Sequence, residues 1–290
     1  MVHYYFGRLS EAASASEQGL VHAERAHDLQ RQAQHRLIRM HAAQGGFTPL
    51  RQVNDLLVDD LDWARQTGSL EVEAKATMRL SAVRGALGDP AGRDELFARG
   101  TSACGELGLD NWAAGFNAIW IWGLTDDPAV AEARLRASYD LLAVIGPRKR
   151  LSTVAAILSD CLYRQGRDEE AEKMLDEAAD ATDDDDLMTQ VRLRTGRARL
   201  LAKRGNGDEA VTVAREGVAL AAETEYVHLR GDSLLALGDV LETAGRPEEA
   251  AGAIREALSL WKAKGALASE RSARSRLDDL GDTGEVASRS

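Results

Sequence analysis

Gly245-Arg246-Pro247-Glu248-Glu249-Ala250 decides the fold, because the chain repeats this phrase. Near-copies run from Gly7 to Ala12, Gly166 to Ala171 and Gly205 to Ala210, each with alanine five residues after glycine. Weaker versions span Gly88 to Arg93, Asp126 to Ala131 and Gly46 to Val53. The phased positions 12, 53, 93, 131, 171, 210 and 250 lie 41, 40, 38, 40, 39 and 40 residues apart. A fixed period of this size marks an array of packed repeat units.

Each unit reads as helix A, a tight turn, then helix B. Pro49, Pro90, Pro128 and Pro247 stand three or four residues before phased positions, and Pro147 lies in the loop before a helix A. Proline fits the first turn of a helix, where its missing N–H costs nothing, and no proline falls inside a predicted helix.

The first unit keeps helix B, Glu11 to about Arg25, while only Val2 to Phe6 remain for helix A. That leaves an apolar edge open, as expected of a chain cut from, or descended from, something longer. Six full units follow: Leu29 to Arg65, Glu71 to Cys104, Asn111 to Val144, Leu151 to Ala181, Leu187 to Thr224 and Arg230 to Lys264. In the third unit overall Arg93 holds the phased position, so Gly100 is expected to supply the small packing residue. A polar helix, about Ala266 to Leu280, caps the stack, and 281–290 reads as a disordered tail. The expectation is an all-α, right-handed superhelical solenoid of about seven hairpins, one elongated domain over residues 1–280.

Composition excludes several functions. The formal charge of -11 in 290 residues argues against nucleic acid and against anionic membranes. No stretch is apolar enough to span a bilayer and no signal peptide opens the chain, so a cytoplasmic protein is expected. Cys104 and Cys161 read as small buried hydrophobes rather than a disulfide.

Leu237-Gly238, Leu241, Gly245, Ala250, Ile254 and Ala257 in the last unit resemble the tetratricopeptide repeat, whose small residues let helices A and B cross closely. Leu151 to Leu158, the Gly166 phrase, Leu229 to Leu237 and Ala257 to Gly265 look like the C-terminal repeat region of bacterial cyclase- or ATPase-type signalling regulators. The resemblance implies a non-enzymatic regulatory arm that binds a protein or peptide on its concave face. It implies no catalysis, because the chain lacks a phosphate-binding Gly-x-x-x-x-Gly-Lys-Ser/Thr and a cyclase motif. The contrasting expectation is a sensor that closes around a small ligand or short signalling peptide.

Candidate chemistry is sparse. His22, His27, His35 and His41 lack the spacing of a zinc site, and Asp183 to Asp186 lack the glycine and distal glutamate of a calcium loop. No catalytic residue, cofactor or metal is expected. In the tetratricopeptide register Met78, Phe116, Trp120, Arg192 and Arg199 face the concave side, while Trp122, Arg194 and Arg197 map to the core. The arginines fit ion pairs with acids of adjacent helices, such as Asp160 or Glu209, or a clamp on a partner's carboxylate. The open N-terminal edge offers a surface for a homodimer.

Overall fold

The computed structural model describes residues 7–120, 128–145 and 147–281, and among them it shows fourteen helices and no strand. The remnant at Val2 to Phe6, the turn at Asp126, Trp122 and the tail from 282 lie outside the described residues. The hairpins begin with α1 (Leu9–Arg25) and α2 (Leu29–Gly45), then α3 (Leu50–Thr67) with α4 (Leu70–Ala86) and α5 (Pro90–Glu106). Next come α6 (Asp110–Trp120), α7 (Pro128–Ile145), α8 (Arg148–Arg164) and α9 (Asp168–Ala181). The chain continues through α10 (Leu187–Lys203), α11 (Gly207–Ala222), α12 (Val227–Thr243), α13 (Pro247–Lys264) and the capping α14 (Leu267–Asp279). Consecutive helices pack on one another, which gives the all-α solenoid the period predicts. Among the described residues no helix is long and apolar enough to cross a membrane.

Local chemistry explains the punctuation. Gly166, Gly205 and Gly245 of the repeated phrase have φ of 75°, 86° and 72°. This left-handed region is nearly free for glycine and strained for other residues, so the phrase stops helix A and turns the chain. Asp28 and Asp89 then accept from the backbone N–H of Arg31 and Gly92, at 3.0 and 2.9 Å, and cap α2 and α5. Asp186, from the acidic run, caps α10 by accepting from the Thr189 backbone N–H at 3.4 Å, and its other oxygen accepts from the Thr189 hydroxyl at 2.8 Å.

The phased small residues sit where the helices cross. Ala171, Ala210 and Ala250 have no exposed surface. Gly100 supplies the small position of the third unit: a Cβ there would lie 2.7 Å from Met78 Cγ. Both cysteines are buried free thiols, and burial raises Cys104 to about 11.

The array differs from an elongated stack, because its two halves meet. Leu9, Ala12 and Ala42 share a cluster with Val191, Tyr226 and Leu229. Met40, Leu57 and Val72 share another with Leu234, Ile254, Trp261 and Leu277, so α14 caps α13 while also touching α4. Glu225 N donates to Gly7 O at 2.9 Å, and Glu225 Oε2 accepts from Ser10 N at 2.5 Å. The N-terminal edge is therefore covered by the chain's own later helices. Burying a leucine such as Leu9 stabilises by about 1.5–3 kcal/mol, which favours closure over an open apolar edge.

Candidate binding site on the concave face

Aromatic side chains line the interior from one half to the other. Trp112, Phe116 and Trp120 recur every four residues on α6, with ring centroids 5.1 and 6.4 Å apart. Trp120 meets His228 of α12 at 4.3 Å, and His228 meets Tyr226 edge-on at 5.6 Å. Tyr226 Oη then lies 3.0 Å from His41 Nε2 of α2. Arg79 of α4 donates to Gln44 Oε1 at 2.6 Å and lies over the Phe116 ring at 5.5 Å. Burial holds both His41 and His228 well below their ordinary value, and nearby cations add to this: Arg79 and His228 beside His41, Arg192 and Lys264 beside His228. Neither ring nitrogen of His228 has a hydrogen-bond partner among the described residues.

A charge ladder links helix A of successive units. Arg199 of α10 donates to Asp160 of α8 at 2.5 Å. It also donates through Nε and Nη2 to Asp239 Oδ2 of α12, at 2.8 and 2.6 Å. Arg276 of α14 reaches the other Asp239 oxygen at 2.5 Å. Burial alone would lower Arg199, yet the two carboxylates more than offset it and hold the guanidinium above its ordinary value. Burial would likewise raise Asp160, but Arg164, Arg199 and Arg192 keep it below the usual carboxylate range. Arg199 is thereby saturated, in the manner of a structural ion pair.

Arg192 behaves differently. Burial lowers its guanidinium, only partly opposed by Asp232 and Asp160, and its buried Nε has no hydrogen-bond partner among the described residues. Asp232 keeps solvent contact, while the surrounding protein raises its carboxyl against the pull of Arg192 and Arg164.

The structure therefore sorts the expected site residues. Trp120 packs on His228, which lies beside Arg192, and Arg192 and Arg199 both act on Asp160. Met78 does not join them: it is fully buried with Cys104 and Ala113, because Gly100 opens a slot for it. Phe116 is buried in the same cluster, stacked on Trp112 rather than presented. Glu209 is exposed at the start of α11 and leaves Arg199 to Asp239. Arg197 is exposed, 4.0 Å from Asp176, and Arg194 folds back onto Gln190 of its own helix, so neither fills the core. The long, flexible arginine stem lets each guanidinium leave the apolar crossing.

Asp239, Asp232, His228, Tyr226 and His41 enter the site without having been expected there. Asp239 is legible in the sequence, since Asp160, Arg199 and Asp239 recur at the repeat spacing. The aromatics at the seam carry no periodic signal. A cleft of about 310 Å3 between α3, α4 and α14 holds Arg51, Asp55 and Arg84, but all three keep contact with solvent. The enclosed chemistry belongs to the concave face.

No protein-family model matches the sequence, and no curated protein does. Among solved structures the chain is similar to BtubC (BKLC) from P. vanneervenii, at 15% identity over 74% of this chain and 91% of that one, with a TM-score of 0.52. It is also similar to a Rap protein complexed with Competence and Sporulation Factor, at 15% identity over 94% of this chain and 79% of that one, with a TM-score of 0.52. These likenesses are of fold, and both neighbours are helical-repeat proteins.

Proposed function

We propose that the chain is a non-enzymatic tetratricopeptide-type scaffold that holds a protein segment or peptide on its concave face, as a cytoplasmic regulatory arm in bacterial signalling. One observation carries the proposal. Trp120 is half-buried against His228, and three helices from distant units converge there, yet the His228 nitrogens have no hydrogen-bond partner among the described residues. Polar groups enclosed at a cost to stability are what a binding face retains for its ligand. The likeness in fold to a Rap protein complexed with Competence and Sporulation Factor, across 94% of this chain, supports the same reading.

Affinity capture from source-cell extract with wild type and Trp120→Ala tests it, with circular dichroism as the control for fold. The expected result is a polypeptide retained by wild type and lost by the variant at equal helicity. Undiminished capture by Trp120→Ala would move the binding face elsewhere.

The contact between the two halves motivates a second reading, a sensor in which a small ligand or short signalling peptide would bridge the early and late helices. A ligand at one hundred times its Kd would add about 2.7 kcal/mol of stability, visible as a rise in Tm. No rise across a library of metabolites and short peptides would leave the scaffold alone.

A further inference from the structure

Guanidiniums across the array find carboxylates, as Arg36, Arg167 and Arg204 do with Asp60, Glu132 and Glu172. Arg51, Arg84 and Arg271 find none among the described residues, in a chain whose net charge is -11. These three meet at one place. Arg51 in the first turn of α3 and Arg84 in the last turn of α4 line the cleft of about 310 Å3, together with Asn54, Asp55, Leu87 and Leu267. Leu267 opens α14, and Arg271 follows it by about one helical turn. Arg271 Nη2 lies 3.8 Å from where a Cβ on Gly88 would stand, next to the lining Leu87. The same three helices share one apolar cluster through Val53, Val83 and Ala273, so packed helices rather than loops hold the charges. Three guanidiniums against the single carboxylate of Asp55 leave two positive charges unbalanced. Asn54 donates through Nδ2 to Asp55 Oδ1 at 3.2 Å, while its own Oδ1 is buried without a hydrogen-bond partner among the described residues. The reverse orientation of that amide would set its oxygen against the carboxylate. The cleft thus offers one acceptor beside its donors.

We infer that this cleft binds the phosphate monoester of a small hydroxyl-bearing molecule, and that the bound ligand ties the capping helix to the second and third units. Like charges gathered without a counter-ion repel, and a dianion removes that repulsion. A phosphate monoester carries about 1.5–2 negative charges at neutral pH, which matches the excess, and its three terminal oxygens accept from guanidinium forks. A hydroxyl of the same ligand donates to Asn54 Oδ1, and Leu87 and Leu267 supply its apolar walls. Asp55 repels a second anionic group, which selects a single phosphate over a polyanion. None of the aromatic residues of the concave face lines this cleft, so the site is separate from the peptide-binding proposal.

The probe is glycerophosphate, titrated into the full chain by isothermal calorimetry at physiological ionic strength, with inorganic phosphate and glycerol as comparison ligands. Wild type is expected to bind glycerophosphate at one saturable site, inorganic phosphate about tenfold more weakly, and glycerol not at all. Arg84→Met and Arg271→Met should each weaken glycerophosphate about tenfold at an unchanged urea midpoint. Arg65→Met, the same loss of charge at the far end of α3, should bind as wild type does. Saturating glycerophosphate should raise the Tm of wild type and not that of Arg271→Met. No saturable binding, binding left intact by Arg84→Met and Arg271→Met, or an equal loss in Arg65→Met overturns the site. Inorganic phosphate bound as tightly as glycerophosphate keeps the anion site and overturns the Asn54 contact.

Discussion

Lys264, in the last turn of α13, donates its ammonium to the carbonyl of Ala43, 2.9 Å away and 221 residues earlier in the chain. Its other protons go to Gly46 O and Thr48 O, at 2.5 and 2.7 Å. One side chain thus satisfies the end of α2, whose final carbonyls have no donors within their own helix. Burial pulls Lys264 down to about 7. The unfolded chain holds that proton up to about pH 10.4. Between pH 7 and that value the unfolded state binds more protons, so stability rises with pH, by at most about 1.4 kcal/mol per unit.

Urea midpoints should therefore climb from pH 7 to pH 9 in wild type and stay level in Lys264→Met. At pH 9 the wild-type side chain is a neutral amine with two N–H donors, so the variant strips a donor from two of the three carbonyls and should be less stable by about 2–4 kcal/mol. A flat wild-type profile would remove Lys264 as the titrating group.

The acid limb belongs to His228 and His41. Both are depressed by burial, so on acidification the unfolded chain takes up protons near pH 6.5 that the folded chain refuses. Stability is lost as pH falls from about 6.5 toward the lower folded values. His228→Phe keeps a ring against Trp120 and breaks no hydrogen bond. It should stay within about 1 kcal/mol of wild type at pH 7.5 and lose less at pH 5. Parallel acid profiles would show that His228 is not one of the groups refusing protons.

The parts of this architecture legible in sequence are those that nearest neighbours decide. Ala171, Ala210 and Ala250 mark helix crossings because any larger side chain would push the hairpin apart. Pro90 and Pro247 mark helix starts because no N–H is needed there. Gly100 was legible from the defect at Arg93. Closure was not, since a period records only what each unit does to the next. Lys264 and Ala43 meet five units apart, and nothing in a Lys-Gly helix end distinguishes a buried ammonium from a solvated one. Met78 illustrates the limit from the other side: register placed it on the concave face, while the space beside Gly100 drew it inward.

Arg199 and Arg192 should respond oppositely to the same substitution. Arg199→Met strips a partner from Asp160 and Asp239, although Arg164 and Arg276 remain at 3.0 and 2.5 Å. The expected loss is about 2–3 kcal/mol, below the full cost of an orphaned buried charge because each acid keeps one cation. Arg192→Met removes a half-buried cation whose Nε has no hydrogen-bond partner among the described residues and should change stability by under about 1 kcal/mol. Equal losses in urea denaturation would mean that the two arginines carry the same structural weight.

Two glycines in the last unit provide a final contrast of sign. A Cβ on Gly231 would lie 2.1 Å from Trp261 Cζ2 and 2.6 Å from Cε2. Trp261 is buried in the cluster that unites α2–α4 with α12–α14, so its rigid indole has no free end to swing aside. Gly231→Ala must displace the ring across the seam, and about 3 kcal/mol of lost stability is expected, at the upper end for overpacking. Gly252 lies within α13 with nothing within 4 Å of its added Cβ. There alanine only removes backbone freedom from the unfolded chain, and Gly252→Ala should gain about 0.5–1 kcal/mol. Urea unfolding followed by tryptophan fluorescence reads both, with a shifted native emission expected for Gly231→Ala alone. A neutral Gly231→Ala would mean that α12 and α13 separate easily at this crossing, and would sink the tight seam on which closure of the array depends.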